Sequence, residues 1–166
     1  MLDVSKQIAR KNNGIVLSQY ENEENINAHF THTSNDLLKN NIQYNYFAAG
    51  IGTGGTIIGI SKRLKKLYNV TTYGVVPMEN ESISGLLFDQ STLIKRYKAM
   101  YIDKVILVAT KEAKEQFRKM NENGYPVGLS TGAVISTIKS INTRVKNQVI
   151  LGGIMADTNM KYLSLI

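Results

Sequence analysis

Hydrophobic positions along the chain fall into short β-branched runs that alternate with stretches where apolar residues recur every three or four positions. Ile15-Val16-Leu17, Gln43 to Ala49, Thr71 to Val76, Lys104 to Ala109 and Gln148 to Gly152 read as buried strands. Between them, Asp3 is placed to cap a helix through Lys11 that Asn12-Asn13-Gly14 closes, and further helices are predicted over Ala28–Asn40, Ile57–Tyr68, Lys111–Asn121 and Ala133–Thr143. Alternation of this kind predicts an α/β fold: a three-layer, Rossmann-like arrangement in which a mostly parallel twisted sheet of about four to six strands is flanked by helices. Pro77 stops the third run, and Met78 to Asp103 is the least regular stretch, part helix and part loop. With no repeat, low-complexity linker or shift in composition, residues 1–166 read as a single α/β domain.

Composition narrows the chemistry by exclusion. The 166 residues contain no Cys, which removes disulfides, thiolate metal sites and a Cys nucleophile, and the two histidines, His29 and His32, are too few for a His-based centre, so no metal is expected. The longest apolar runs, such as Val149 to Ala156, are far shorter than the roughly 20 residues a spanning helix needs, and Met1 to Asn13 lacks a signal-peptide core. The expected location is therefore cytoplasmic, with no membrane partner. The 20 Lys+Arg outnumber the 13 Asp+Glu, for a net charge of +7. One basic cluster, Lys62, Arg63, Lys65 and Lys66, lies in a helical pattern whose apolar side is Ile57, Ile58, Ile60, Leu64 and Leu67, and another is Lys95-Arg96-Tyr97-Lys98. The first reads as a solvated helix face, and no nucleic-acid partner is expected.

One turn carries chemistry. Ala49-Gly50-Ile51-Gly52-Thr53-Gly54-Gly55-Thr56 sets four glycines between a strand and a helix start. Glycine lets the backbone take positive φ and approach a ligand closely, while free N–H groups and the helix dipole favour an anion, so the expected ligand is a small anion or phosphate. Gly50, Gly52 and Gly55 also satisfy a dinucleotide pattern, with Glu79 ending the next strand where a ribose-binding acid belongs, so a nucleotide (NAD) site stays open at this point. A P-loop is excluded because no Lys follows the last glycine.

Other segments belong with that turn. Gln19-Tyr20-Glu21-Asn22 followed by Asn25 and His29, the segment Ala49 to Ile60, Val75-Val76-Pro77, Gly128-Leu129-Ser130-Thr131-Gly132-Ala133 and Lys161-Tyr162-Leu163-Ser164 occur in order over nearly the whole chain. Together they resemble the C-terminal portion of the pyridoxal-phosphate enzymes of the cysteine synthase and cystathionine β-synthase family, fold type II. The resemblance implies pyridoxal phosphate as cofactor, with Gly52, Thr53, Gly54, Gly55 and Thr56 on its phosphate, Ser130 at its pyridine nitrogen, Gln19 near the substrate carboxylate and Tyr162 in packing. It also implies that the neutral Ser130 hydroxyl leaves the ring unprotonated, which favours β-elimination and replacement.

The family's Schiff-base lysine and its Asn-containing loop belong to a part that precedes the matched region, and Met1 corresponds to a helix near the middle of a family member. Lys6 follows Ser5 but sits in a helical pattern, not at a helix start beneath a cofactor. The family's Gly-Ile-Gly segment is unrecognisable here, and Met78 to Asp103 is shorter than its counterpart. The resemblance thus implies no catalytic residue in this chain. It points to a truncated cysteine-synthase-like domain, inactive alone: a fragment, a pseudoenzyme, or half of a split β-replacement enzyme acting on O-acetylserine or serine. A non-catalytic anion-binding or regulatory module is the alternative. Expected partners are a second copy, meeting through Leu86, Leu87 and Phe88 or the sheet edge, or a complementary N-terminal half.

Overall fold

The computed structural model describes residues 2–87 and 100–165; the Lys95-Arg96-Tyr97-Lys98 cluster and Phe88 lie outside the described residues. Helix α1 (Leu2–Lys11) is followed by α2 (Glu24–Ala28), a π-helical turn (His29–Thr33) and α3 (Ser34–Leu38). Then come β1 (Tyr46–Gly50), α4 (Gly55–Leu64), β2 (Thr71–Pro77), β3 (Lys104–Val108), α5 (Thr110–Glu122), α6 (Leu129–Arg144) and β4 (Leu151–Gly153). The four strands form one sheet in the order β3-β2-β1-β4, and every neighbouring pair is parallel.

The period-two alternation of strand side chains explains the layers. On β1, Phe47 and Ala49 face one core with Ile57, Ile58, Ile60 and Leu64 of α4, while Ala48 faces the other with Ala113 and Phe117 of α5 and Ala133, Val134 and Ile141 of α6. On β2, Tyr73 and Val75 join the second core and Val76 the first. Both faces of the sheet are covered, the usual condition of a parallel sheet, and each fully buried Ile or Phe contributes about 1.5–3 kcal/mol.

Several boundaries differ from the expectations, each for a local reason. Ile15-Val16-Leu17 is not a strand: Ile15 and Leu17 are 85% and 73% exposed, and the segment lies between the positive-φ residues Asn13 and Ser18. Asp3 is a first-turn acid inside α1, not its cap. The strand expected from Gln43 begins at Tyr46, because the Asn45 side chain accepts the Ile150 N–H at 2.9 Å in place of a ladder bond. β4 correspondingly starts at Leu151. The helical stretch expected from Ala28 starts a turn earlier, where Asn22 Oδ1 accepts the Glu24 N–H at 3.0 Å. α4 stops at Leu64, leaving Leu67 49% exposed instead of buried.

The basic cluster also departs from a simple solvated face. Lys62 Nζ, Arg63 Cζ and Lys66 Nζ lie 5.4, 5.6 and 5.1 Å from the centroid of the Phe30 ring, close enough for cation–π attraction. Lys65 Nζ is 2.6 Å from Asp103 Oδ1. Asp103 also accepts the Thr72 N–H at 2.7 Å and lies 2.9 Å from the Thr72 hydroxyl, which ties the start of β3 to β2. Burial alone would push the Asp103 carboxyl up, but the Lys65 and Thr72 hydrogen bonds and the Lys65 charge outweigh it and hold the carboxyl below the ordinary carboxylate range. Asp103→Ala should therefore lower the urea-unfolding free energy by about 2 kcal/mol, since it strands partly buried donors that had a charged acceptor. A variant within about 0.5 kcal/mol of wild type would show that solvent replaces the carboxylate freely.

Candidate functional site

The chain leaves β1 toward β2 on one side of the sheet, while β4 pairs on the other, so the carboxyl end of β1 lies at a switch point in strand order. Open parallel sheets hold ligands at such a crevice. Here it is a cavity of about 440 Å³, within the range that suits small ligands. Its walls come from Ala49 and Gly50 at the end of β1, the 52–56 loop, the 19–20 loop, Gly85 to Leu87, the first turns of α6 and the segment after β4.

The glycine turn forms one end of this cavity. Gly54 has φ +85°, left-handed backbone that an L-side chain rarely adopts, and it forms the N-terminal boundary of α4. A side chain at Gly52 would press its Cβ to 2.7 Å from the Gly85 carbonyl oxygen, so the loop can pass there only without one. Among the described residues, the backbone N–H groups of Gly52, Thr53 and Gly54 have no hydrogen-bond partner. Unpartnered donors at the start of a ten-residue helix suit a phosphate, so the residues present fit the phosphate of a cofactor.

Asn25 fixes the cradle to its neighbours. Its Nδ2 donates to the Thr53 hydroxyl oxygen and to the Gln19 carbonyl oxygen, both at 2.8 Å, so one amide holds the glycine loop and the Gln19 loop together. One turn along the same helical stretch, His29 Nε2 lies 3.1 Å from the Thr56 hydroxyl and Nδ1 lies 2.9 Å from the Thr33 hydroxyl. The spacing of Asn25 and His29, four apart on one helical side, is the sequence signal that could have assigned them to the cradle.

Partial burial lowers the pKa of His29, favouring the neutral ring. A depressed histidine contributes stability that is present above its unfolded value of about 6.5 and is lost as pH falls through its folded value, because the unfolded chain then binds the extra proton. The Tm of wild type should thus fall more steeply than that of His29→Gln between about pH 6.5 and about pH 5. Parallel curves would remove His29 from the account.

Ser130 and Gln19, expected at the two other corners of the site, both line the same cavity as Gly52, Thr53, Gly54 and Thr56. Gly55 sits behind them at the first position of α4. Ser130 lies in the first turn of α6, which starts at Leu129 and not at Ala133. Gly132, which suggested a turn, is instead a close-packing position: a Cβ there would collide with the Ala113 carbonyl oxygen of α5. Tyr162 is buried edge-on against Phe117, with centroids 5.8 Å apart, and its hydroxyl donates to Asp157 Oδ2 at 3.1 Å.

Asp157 is the site residue that the sequence reading missed. It lines the cavity and accepts the Ser130 hydroxyl at 3.2 Å. Among the described residues that line the cavity there is no lysine, and Lys6 pairs at 3.5 Å with Glu21 instead. Glu79 stands exposed beyond β2 and is not among the lining residues, so the dinucleotide reading lacks its ribose acid. Leu86 is buried, packed over Gly50, while Leu87 is exposed. No group of three or more metal-ligating side chains occurs among the described residues, and no described helix is long and apolar enough to cross a membrane.

Comparison with known proteins agrees with this geometry. Residues 2–152 match the family described as pyridoxal-phosphate dependent enzyme. Cysteine synthase B of Pseudomonas aeruginosa is 30% identical, over 98% of this chain and 55% of its own. Cysteine synthase B of Campylobacter jejuni is 32% identical, over 92% and 54%. The chain thus spans about half the length of these curated relatives. The crystal structure of an O-acetylserine dependent cystathionine β-synthase from Helicobacter pylori superposes with a TM-score of 0.85 at 25% identity, covering 98% of this chain and 57% of that one. The chain therefore belongs to the pyridoxal-phosphate dependent enzyme family, as a cysteine-synthase-like domain of α/β fold.

Proposed function

We propose that these residues form the phosphate-holding half of a β-replacement site for O-acetylserine or serine, inactive in that reaction until a lysine-bearing counterpart, on this or another polypeptide, completes it. The observation that carries the reading is the shared cavity, whose described lining gathers the glycine cradle, Ser130 and Gln19 but no lysine. The Gly52, Thr53 and Gly54 N–H groups and the Thr53 and Thr56 hydroxyls hold the phosphate, Ser130 meets the ring nitrogen, and Gln19 faces the substrate carboxylate. Bound there, pyridoxal phosphate supplies the electron sink that β-replacement chemistry needs. With no lysine among the described lining residues, those residues orient this group but neither hold it covalently nor accept the substrate proton.

An uncovered apolar row supports the need for a counterpart. Val4 and Ile8 lie one turn apart on α1 and are exposed, as are Ile15 and Leu17 in the segment that follows. An apolar row of this kind marks a surface made to be covered. The partner that suits both this row and a cavity with no lysine among its described lining residues is the complementary half.

The test combines binding with turnover. Pyridoxal phosphate should bind saturably, pyridoxal without its phosphate should not, and O-acetylserine with sulfide should yield no cysteine above the blank. Adding the lysine-bearing N-terminal half of a cysteine synthase should then produce cysteine. Borohydride fixing pyridoxal phosphate stoichiometrically to one lysine of this chain, with cysteine formed by the chain alone, would overturn the proposal.

A further inference from the structure

A second cavity, of about 270 Å³, lies at the opposite end of α6 from the glycine cradle. Ser130 stands in the first turn of α6 at the cradle cavity and Arg144 ends the helix at this one, so about 20 Å of helix separates the two. The amino end of the sheet forms one side. Tyr73 of β2 is the register partner of Lys104 on β3, so both side chains leave the same sheet face, the one that packs under α6 and also carries Tyr46 of β1. The last turns of α6 form the other side, where Thr137, Ser140, Ile141 and Arg144 recur at helical spacing.

Packing alone does not account for these residues. Nearer the cradle the same helix and sheet face share a core of buried apolar side chains, Ala133 and Val134 with Ala48 and Val75. At this end two cations and three hydroxyls converge instead. Among the described residues, the hydroxyls of Tyr46, Tyr73 and Ser140 and the charged ends of Lys104 and Arg144 have no hydrogen-bond or ion-pair partner, and no carboxylate is among the described lining residues. Lys104 Nζ lies 5.8 Å from the centroid of the Tyr73 ring, close enough for cation–π attraction. Arg144 also balances the negative end of the α6 dipole, but that is only about half a charge, so the cavity keeps a positive excess.

The remaining lining sets the shape of what fits. Tyr46 and Tyr73, with ring centroids 6.2 Å apart and planes tilted by 53°, stand with Ile106, Ile141 and Val145 as an apolar and aromatic wall. A flat ring packs against tilted rings by offset or edge-on contact, and a carboxylate on that ring is the acceptor that cations and phenol hydroxyls both take. The volume lies just below the roughly 300 Å³ at which sites for drug-sized ligands begin, so it suits a single ring.

We propose that this second cavity binds a small aromatic carboxylate, with its ring against Tyr46 and Tyr73 and its carboxylate on Lys104 and Arg144. The site shares no lining residue with the cradle cavity, so it stands or falls separately from the phosphate reading.

Benzoate tests this, with benzamide as the same ring without the charge and acetate as the charge without the ring. Titrated into the 15N-labelled chain, benzoate should bind saturably with a Kd of about 1 mM or tighter, and benzamide and acetate at least about tenfold more weakly. Amide shifts should fall on Tyr46, Tyr73, Lys104 and Ser140 to Arg144, and the benzoate ring protons should show Overhauser contacts to the rings of Tyr46 and Tyr73. Lys104→Gln and Arg144→Gln, both at exposed positions, should each weaken benzoate about fivefold and together about 25-fold, leaving Tm unchanged. Benzamide or acetate binding as tightly as benzoate would show that charge and ring are not read together, and would overturn the proposal. So would benzoate shifts confined to the cradle cavity, a titration that does not saturate, or full affinity in the double variant.

Discussion

Gly132→Ala is expected to lower the unfolding free energy by about 3 kcal/mol. Alanine is the better helix former, worth about 1 kcal/mol over glycine inside a helix, so on propensity alone the change would stabilise α6. Contact decides otherwise. The new Cβ would collide with the Ala113 carbonyl oxygen and approach the Phe117 nitrogen to 2.9 Å, both backbone atoms of α5, so the helices must separate. Phe117 is fully buried and packs edge-on against Tyr162, whose hydroxyl holds Asp157. Separation should therefore loosen the site as well as the core. Urea unfolding gives the number directly, and a loss below about 1 kcal/mol would show that α5 can shift without penalty.

Gly55→Ala should separate binding from folding. Its Cβ would collide with Asn25 Oδ1 and lie 2.6 Å from Asn25 Cγ, and all the nearest atoms belong to that one side chain. The clash is relieved by moving Asn25, not the backbone, so stability should change by less than about 1 kcal/mol. Displacing Asn25, however, breaks its bonds to the Thr53 hydroxyl and the Gln19 carbonyl, which preorganise the cradle and its neighbouring loop. Two lost hydrogen bonds and the added ordering requirement correspond to about a hundredfold weaker binding of pyridoxine 5′-phosphate by calorimetry. Asn25→Ala should reproduce most of that loss. Unchanged affinity in both variants would remove Asn25 from the site.

The contrast between these two glycines shows what was legible in the sequence. The strand-to-helix glycine turn could be read directly, because four glycines beside a helix start leave few physical alternatives. The sheet was legible at β1 and β2, where burial is nearly continuous, and at β3 through its β-branched run although only Val108 is buried there, but not where a strand ends on a side-chain bond, as at Asn45. Ile15-Val16-Leu17 has the composition of a strand and no partner among the described residues, a tertiary fact that periodicity does not carry. Gly132 looked like a turn because glycine has two uses, and only the position of α5 tells which applies. Asp157 was invisible for a related reason: it is far in sequence from Ser130, and an isolated aspartate after a strand has no pattern of its own. The pairing of Gln19 with the glycine loop was legible only through family resemblance, whereas the amide of Asn25 is the physical link between them.

The central claim, that the glycine turn and the start of α6 hold one phosphate-bearing ring between them, is tested most directly by titrating 15N-labelled chain with pyridoxal phosphate and following the backbone amide resonances. The account predicts that the largest shifts fall on Gly52, Thr53, Gly54 and Thr56 together with Ser130 and Asp157, and that pyridoxal lacking the phosphate leaves them in place. Shifts confined to the Lys62 to Lys66 face, or equal for both ligands, would contradict it.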